Sequence, residues 1–404
     1  MPLFKSLASL GSRVKNIVIF VTDSLRFDYY PKELENYGLV MKCIAQSIFT
    51  PVSMASIVTG LNPPRHMVKD FSSLLPSSIP SIFDLPLNTS YWGHMEYDAL
   101  YKVFKHPPRI PLEKLNEPFI YIEKTDETHV PYDPVFKDKP DGYRKYIRVV
   151  RRDKKKLVND YKKAVERAFR RFLDLLDVLK KRGILSRSLV FLLSDHGDII
   201  TEYGSFLFHH FPPVPENVYV PLAIIHPDIE QALVKDVVVR HVDILPTILQ
   251  MLGLELPILT EGISIVDILS KGIEVYGFNW YKRVRFGITT LSVWDKDGNG
   301  VVVIDAPPHL RLISAIGDMV RYSHNLYPLK LHRKVNVYGR GIDNWKEIVE
   351  IFRSMPTYGI KDRMLLSPMN IKWVSVRPRI VLESRIRRIK ESLKFAGNSR
   401  NRES

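Results

Sequence analysis

Four short segments of the chain are almost continuously apolar and rich in β-branched residues, which is typical of strands buried on both faces of a sheet. The segments run from Asn16 to Thr22, from Phe119 to Ile122, from Leu189 to Leu193 and from Val218 to Ile225. The first three pass directly into polar residues. They therefore predict strands with abrupt, polar carboxyl ends.

Apolar residues at spacings of three and four predict a long helix between the second and third of these strands, from Leu157 to Leu179. Lys and Arg occupy its other face, and Gly183 is its predicted end. A shorter helix is predicted from Pro51 to Thr59. Thr50 is its expected N-cap, and Gly60 follows its last turn.

Buried strands that alternate with helices predict an α/β fold with a mostly parallel central sheet and helices on both faces. A third helix, with Asp243 as its expected N-cap and Gly253 at its end, fits this order. We expect one main domain over residues 14–305. Residues 306–404 are expected to form a C-terminal α+β extension with a basic tail.

Two further strands are predicted near the end of the main domain, over residues 284–291 and 301–304. Between them, Asp295 to Gly300 reads DKDGNG and resembles the start of a calcium-binding loop. The twelfth position of such a loop would be Ala306, which supplies no carboxylate. A hairpin turn is therefore the preferred interpretation.

Charge narrows the choice of partners. The 404 residues include 59 Lys and Arg against 44 Asp and Glu, a net charge of +15. This excess favours anionic partners, such as phosphate or sulfate esters, nucleic acid or an anionic membrane face. Much of it lies in two dense stretches, Arg144 to Lys156 and Arg377 to Arg402. No nucleic-acid-binding motif accompanies them, so solvated helix faces are the simpler interpretation and nucleic acid is not the expected partner.

Two features bear on location. No apolar run reaches the roughly 18 residues that a transmembrane helix needs, so no integral membrane segment is expected. Cys43 is the single cysteine, which excludes an internal disulfide and any multi-cysteine zinc site. The simplest expectation is a cytoplasmic protein.

Candidate chemistry gathers where the predicted strands end. Asp23, the run from Glu123 to His129, and the pair Asp195 and His196 all follow buried strands. In parallel sheets, sites form at the carboxyl ends of the strands. An Asp-His pair there can offer an oxygen and an imidazole to one metal ion, whereas the alternative is a polar turn.

Thr50 is the most informative hydroxyl. It opens a helix, where unpaired N–H groups and the positive dipole end can bind an anionic ester. A metal at the hydroxyl would make it a nucleophile, whereas the alternative is simple helix capping. His209 and His210 lie in a later loop. They are candidate ligands or anion-binding groups, or else a surface pair.

In their order along the chain, these segments resemble the alkaline phosphatase and sulfatase superfamily, in its sulfatase-like branch. The resemblance covers Asn16 to Ser264. It is carried by NIVIFVTDSLRFDYY, IFTPVSMASIVTGLNPPRH, FIYIEKTDETHVPYDP, LVFLLSDHGD, EYGSFLFHHFPPVPENVYVPLAII and HVDILPTILQMLGLELP. It implies a metal-dependent ester hydrolase on an alkaline phosphatase-like fold.

The resemblance also implies a role for individual residues. One or two divalent ions (Mn, Zn, Mg or Ca) would be held by Asp23, Thr50, Asp195 and His196. The implied catalytic residues are Thr50 as nucleophile, His129 and His210. The implied substrate-binding residues are His129, His210 and, one place earlier, His209. Arg26 matches an arginine with a structural or ion-pairing role.

Two departures from the family pattern shape the expected activity. Sulfatases convert a cysteine or serine into formylglycine, and Thr50 cannot undergo that conversion. Ser24 replaces the usual second aspartate. We therefore predict hydrolysis of a small anionic phosphate ester, in the first place a diester, free or linked to a glycan or lipid. The alternatives are a sulfatase, a phosphoethanolamine- or phosphoglycerol-type transferase, and a degenerate anion-binding protein.

Overall fold

The computed structural model describes residues 5–93, 99–137, 139–203, 207–209, 212–254, 260–283, 288–305, 334–342 and 346. Its strands are β1 Asn16–Thr22, β2 Gly38–Ile44, β3 Asn88–Gly93, β4 Phe119–Thr125, β5 Ser188–Ser194, β6 Tyr219–Ile225, β7 Ala232–Arg240, β8 Gly277–Arg283, β9 Ile288–Trp294, β10 Gly300–Asp305 and β11 Lys334–Tyr338. Its α-helices are α1 Lys5–Ser9, α2 Thr50–Thr59, α3 Pro63–His66, α4 Ala99–Val103, α5 Pro134–Lys137, α6 Gly142–Val150, α7 Lys154–Lys181, α8 Pro215–Val218, α9 Ile244–Leu252 and α10 Ile265–Lys271.

Seven strands form the central sheet, in the order β3-β4-β1-β5-β6-β2-β7. Only β6 runs against the others, because it pairs antiparallel with both β5 and β2 while every other neighbouring pair is parallel. The predicted mostly parallel α/β sheet is therefore confirmed.

The register of the three central strands aligns their carboxyl ends. Thr22 at the end of β1 lies opposite Thr125 at the end of β4 and Ser194 at the end of β5. The residues that follow these strands therefore share one edge of the sheet, as expected for parallel neighbours. This edge carries the candidate site.

Helices cover both faces of the sheet, as predicted. One face buries Val18, Phe20 and Val190 against the apolar side of α7, including Phe172. The other face packs against α2, α9 and α10 through a larger apolar cluster that includes Ile57. The long predicted helix corresponds to α7. Asp153 caps it by accepting a hydrogen bond from the Lys156 amide.

A second, four-stranded antiparallel sheet has the order β11-β10-β9-β8. The predicted hairpin between β9 and β10 is present, and the Asp295 carboxylate accepts the amides of Asp297 and Asn299 in its turn. Of the strand expected over residues 284–291, the described part belongs to β9, and residues 284–287 lie outside the described residues. The Trp280 amide donates to the Gln46 carbonyl and ties this sheet to the end of β2.

β11 belongs to the part of the chain predicted as a C-terminal extension, yet it pairs with β10. That extension therefore shares a sheet with residues of the predicted main domain. Apart from residues 334–342 and 346, the segment 306–404 lies outside the described residues, and so does the basic tail from Arg377 to Arg402. Within the described part of the chain, no helix is both long and apolar enough to cross a membrane.

One predicted helix cap is wrong. The α2 helix already includes Thr50, and Phe49 takes the N-cap position without a side-chain hydrogen bond. Asp243 holds the predicted N-cap position of α9, but its side chain makes no capping hydrogen bond to that helix. Its carboxylate instead accepts hydrogen bonds from the backbone amides of Arg240 and Ile263, and these bonds stabilise the turn before α9.

Candidate active site at the carboxyl edge of the central sheet

The turn after β1 joins two strand ends. Ser24 has a positive φ of 64°, a left-handed conformation that is uncommon for a non-glycine residue. In this conformation its amide donates to Asp195 Oδ1 over 3.1 Å, and its hydroxyl donates to Asp23 Oδ1 over 2.8 Å. The position expected to hold a second family aspartate thus holds a serine that positions both carboxylates.

Asp23, Asp195 and His196 each offer a ligand atom, and these atoms lie within 4.8 Å of one another. All three residues are buried. Asp195 Oδ1 accepts two amide hydrogen bonds, whereas Asp195 Oδ2 has no hydrogen-bond partner among the described residues. A buried carboxylate oxygen is costly without a partner, so this oxygen and its neighbours fit a divalent cation.

The ring of His196 has a defined orientation. Its Nδ1 lies 3.1 Å from the Gly197 carbonyl, which makes Nδ1 the donor and leaves Nε2 as an acceptor. Gly197 itself must lack a side chain, because a Cβ there would lie 2.2 Å from the Glu216 carbonyl oxygen. The turn after β5 therefore presents one imidazole nitrogen to the site.

Thr50 reaches the same place from the first turn of α2. Its Oγ1 lies 3.3 Å from His196 Nε2 and 3.4 Å from Asp23 Oδ2. The side chain is buried and faces the two candidate ligands rather than capping its helix. The positive end of the α2 dipole lies behind it. The geometry therefore combines a hydroxyl, a carboxylate and an imidazole.

Lys124 is a site residue that the sequence did not single out. It lies on β4 with its side chain 6% exposed, and its Nζ donates to Asp23 Oδ2 over 2.7 Å. The ammonium also pairs with Asp126 Oδ1. Lys124 Nζ and Thr50 Oγ1 are thus neighbours of the same carboxylate oxygen.

The two carboxylates of the site titrate in opposite directions. Burial alone would raise the pKa of Asp23, but the charges of Lys124, His129 and His196 outweigh it and hold that pKa well below its usual range. Burial and the charge of Asp23 raise the pKa of Asp195. The site therefore has an excess of negative charge at Asp195, which a cation would neutralise.

A second group of polar residues borders the first. His209 Nδ1 lies 3.0 Å from Asp198 Oδ1, and the Tyr132 hydroxyl donates to Asp198 Oδ2 over 2.6 Å. Burial lowers the pKa of His209, but the hydrogen bond and charge of Asp198 outweigh this effect and raise it. The ring of His209 lies 4.8 Å from that of His196 and 5.6 Å from that of His129. His210 lies outside the described residues.

Two other residues, Arg26 and His241, have structural roles. Arg26 pairs with Asp28 and Glu202, which fits the ion-pairing role that the resemblance implied. His241, in the turn before α9, is a buried core histidine. Its Nε2 donates to the Ser194 carbonyl over 2.9 Å, and burial lowers its pKa to about 3.

Comparison with known proteins finds a family domain within the chain. Residues 84–254 match the Sulfatase family model, and this segment contains β4, β5 and the Asp195 and His196 pair. This match and the similar solved structures support the resemblance to the alkaline phosphatase/sulfatase superfamily. They also support a hydrolase of the sulfatase or phosphate-ester type, as the sequence predicted.

Individual members of the superfamily resemble the chain to different extents. It is 27% identical over 307 residues to the low-salt glycan biosynthesis sulfotransferase Agl7 of Haloferax volcanii, covering 72% of this chain and 75% of that protein. Mouse arylsulfatase K is 33% identical over 98 residues, 24% of this chain and 17% of the relative. The phosphonate monoester hydrolase of Agrobacterium radiobacter shares the fold, with a TM-score of 0.57 at 12% identity over 80% of this chain and 99% of that one.

Proposed function

We propose that this chain is a metal-dependent hydrolase that cleaves a phosphate ester, in the first place a diester, with Thr50 as the nucleophile. The observation that carries the proposal is the position of Thr50 Oγ1, within 3.4 Å of both Asp23 Oδ2 and His196 Nε2 at the start of α2. A capping threonine would turn its hydroxyl back onto its own helix.

Asp23, Asp195 and His196 would hold the divalent ion, with Thr50 Oγ1 beside them. Their donor set of carboxylate oxygens and one imidazole suits Zn, Mn or Mg. When bound, such an ion supplies Lewis acidity to the nucleophilic hydroxyl and to the ester oxygen. Ser24, which replaces a carboxylate, contributes by orienting the two aspartates.

The reaction consists of two displacements at phosphorus. Thr50 Oγ1 forms a bond to phosphorus while the bond to the leaving oxygen breaks. The hydroxyl proton of Thr50 passes to Asp23 Oδ2, which lies 3.4 Å from Oγ1, and returns to Thr50 when that residue is released. His209, held by Asp198, donates a proton to the leaving oxygen. Water then attacks phosphorus and releases Thr50, and His209 takes up the proton of that water.

Negative charge on the transferred group is met by fixed positive groups. Lys124 Nζ lies beside the same Asp23 oxygen as the nucleophile, so its ammonium can bind a non-bridging oxygen. The amino end of α2 adds its dipole. His129 borders the site through its contact with His209 and can bind the same group.

Sulfuryl chemistry is the second candidate. The match to the Sulfatase family model favours it, as does the resemblance to a glycan biosynthesis sulfotransferase. In that case Thr50 would carry a sulfuryl group and pass it to water or to an acceptor alcohol on a glycan. The absence of a convertible cysteine or serine at position 50 argues for the phosphate ester first.

One plate of assays separates these activities. Purified protein is given an aryl phosphate monoester, diester or sulfate, each with Mn, Zn, Mg, Ca or chelator, for wild type, Thr50→Ala and Thr50→Ser. We expect metal-dependent diester turnover that falls at least about 1,000-fold in Thr50→Ala and is largely kept in Thr50→Ser. Preferred turnover of the sulfate would favour the second candidate. Full turnover by folded Thr50→Ala would exclude both mechanisms.

A further inference from the structure

The segment that borders the site on one side, α5 and α6, carries an unusual mixture of exposed side chains. We call it the α5–α6 surface and define it by three exposed cations and three exposed apolar residues: Arg144, Lys145, Arg148, Val135, Tyr143 and Val149. Val135 is 59% exposed, Tyr143 44% and Val149 39%. These are three of the six large apolar side chains that are exposed in the described part of the chain.

The cations of this surface have no acidic partners. Over the residues that the structure describes, no ion pair involves Arg144, Lys145 or Arg148. The chain from position 144 to 156 contains eight Lys and Arg and a single acid, Asp153. Lys156 pairs with Asp133 and Asp160. Over the described residues the charges of Arg144, Lys145 and Arg148 stay unpaired at the surface, where they attract an anionic partner.

The exposed residues are not a consequence of poor packing of α6. On its inner side, Tyr146 and Val150 are buried with Tyr161 in one apolar cluster, and the Tyr146 hydroxyl donates to Asp160 over 3.1 Å. The helix is thus anchored on its inner side, while Arg144, Lys145, Arg148 and Val149 are exposed along the rest of its surface.

Two contacts connect this surface to the candidate site. Lys137, at the end of α5, donates to the carbonyl oxygens of Asp126 and Glu127 in the loop that precedes His129. The ring of Tyr143 lies 6.4 Å from that of Phe208, the residue before His209. A partner held on the α5–α6 surface would therefore lie at the border of the site.

We propose that the α5–α6 surface docks the protein onto an anionic lipid bilayer, so that the site meets an ester carried at the membrane surface. Cations interleaved with aliphatic and aromatic groups match the interfacial region of such a bilayer, where basic side chains meet phosphate headgroups and apolar ones enter the acyl boundary. Nucleic acid or a polyanionic glycan would use the cations but gain nothing from exposed Val135 and Val149.

Vesicle binding tests this docking without any turnover, so its outcome is separate from that of the ester assays. Full-length protein is sedimented with phosphatidylcholine vesicles that contain or lack phosphatidylglycerol, at low and high salt. Wild type is expected to bind only the anionic vesicles, with an affinity that salt weakens. The triple variant R144E/K145E/R148E is expected to bind at least about 100-fold more weakly, since each cation contributes about fivefold.

Two further variants separate the contributions of charge position and of the apolar side chains. K69E/K114E/K181E changes the charge equally at exposed lysines elsewhere and is expected to bind nearly as wild type. V135S/V149S keeps every charge and is expected to bind about tenfold more weakly. Unaltered binding by R144E/K145E/R148E, or equal losses in both charge variants, would overturn the proposal. Unaltered binding by V135S/V149S with displacement by duplex DNA or heparin would assign the surface to a polyanion instead.

Discussion

The ammonium nitrogen of Lys124 lies 2.7 Å from Asp23 Oδ2, and both side chains are almost completely buried. The same oxygen lies 3.4 Å from the hydroxyl of Thr50. One carboxylate oxygen thus has a fixed cation on one side and the candidate nucleophile on the other. Lys124 would therefore affect both a metal ion bound at Asp23 and an anion that approaches Thr50, as the proposed function requires.

Removing the charge of Lys124 should therefore weaken turnover but strengthen metal binding. Lys124→Met is expected to lower kcat/KM by about 100- to 1,000-fold, because a positive group is lost at the transferred oxygens. The same change is expected to tighten Mn²⁺ binding, measured by calorimetry on metal-free protein, since an ammonium no longer competes for Asp23. Lys124→Arg should recover part of the activity.

Lys42→Met is the control, because Lys42 is likewise a strand lysine, half-buried on β2, and its ammonium donates to the Lys296 carbonyl, away from Asp23. It is expected to leave Mn²⁺ affinity unchanged. Weaker Mn²⁺ binding by a folded Lys124→Met protein would show that the lysine only supports the local structure.

Metal binding should appear as thermal stability. With Mn²⁺ at 100 times its Kd, the native state gains about 2.7 kcal/mol, which corresponds to a rise in Tm of several degrees. Chelator should reverse this rise. Asp195→Asn should abolish it, because Asp195 Oδ2 is a buried carboxylate oxygen of the site without a hydrogen-bond partner among the described residues.

Without metal, the sign of the Asp195→Asn effect reverses. Burial and the charge of Asp23 raise the pKa of Asp195, so the ionised carboxylate destabilises the folded state at neutral pH. The metal-free variant is therefore expected to unfold at an equal or higher temperature than metal-free wild type. A Tm that is lower without metal, and that still rises with Mn²⁺, would contradict the assignment.

The pH dependence of turnover should report the Asp198 and His209 pair. Asp198 raises the pKa of His209, so a proton needed on His209 is retained below that pKa and lost as the pH rises through it. Asp198→Asn removes this support. We expect the alkaline limb of the kcat profile to move down by about one pH unit. An unmoved limb would mean that another group protonates the leaving oxygen.

The strand ends could be predicted because continuous apolar runs that stop at Asp23 and Asp195 place both carboxylates at one sheet edge. Lys124 was not predicted as a site residue because the apolar run in the sequence ends at Ile122, whereas β4 continues to Thr125. Alternation along that strand separates Glu123, which pairs with Arg171, from Lys124, which reaches Asp23. The signal available in the sequence for this residue was a lone lysine near the polar end of the strand.

The second sheet was harder to predict for a different reason. Its order depends on the pairing of β10 with β11, which are separated along the chain by residues 306–333, and such long-range pairing leaves little periodic trace over short strands. The hairpin of β9 and β10 was recognisable because its turn residues, Asp295 to Gly300, have local chemistry of their own. Asp198 was not predicted as a site residue. Its role depends on its hydrogen bonds with Tyr132 and His209, which the local sequence after Asp-His-Gly does not reveal.

His66 provides a test of the fold that is independent of the site. Its Nδ1 accepts the Val68 amide over 3.1 Å, and its Nε2 lies 3.1 Å from the Ser56 hydroxyl. The ring is fully buried, and burial lowers its pKa to about 3. Protonation at Nδ1 would break the bond from Val68 and bury a charge.

Because the pKa of His66 is lower in the folded state than its value near 6.5 in the unfolded chain, its stabilising effect is complete above about pH 6.5 and is lost as the pH falls toward 3. His66→Gln is expected to be less stable at pH 7, yet its free energy of unfolding should fall less steeply between pH 6 and 4, by up to about 1.4 kcal/mol per pH unit. Urea unfolding at each pH measures this difference. His106→Gln, at an exposed position, should keep the wild-type slope. Identical slopes for wild type and His66→Gln would mean that the buried imidazole accepts a proton without loss of its contacts.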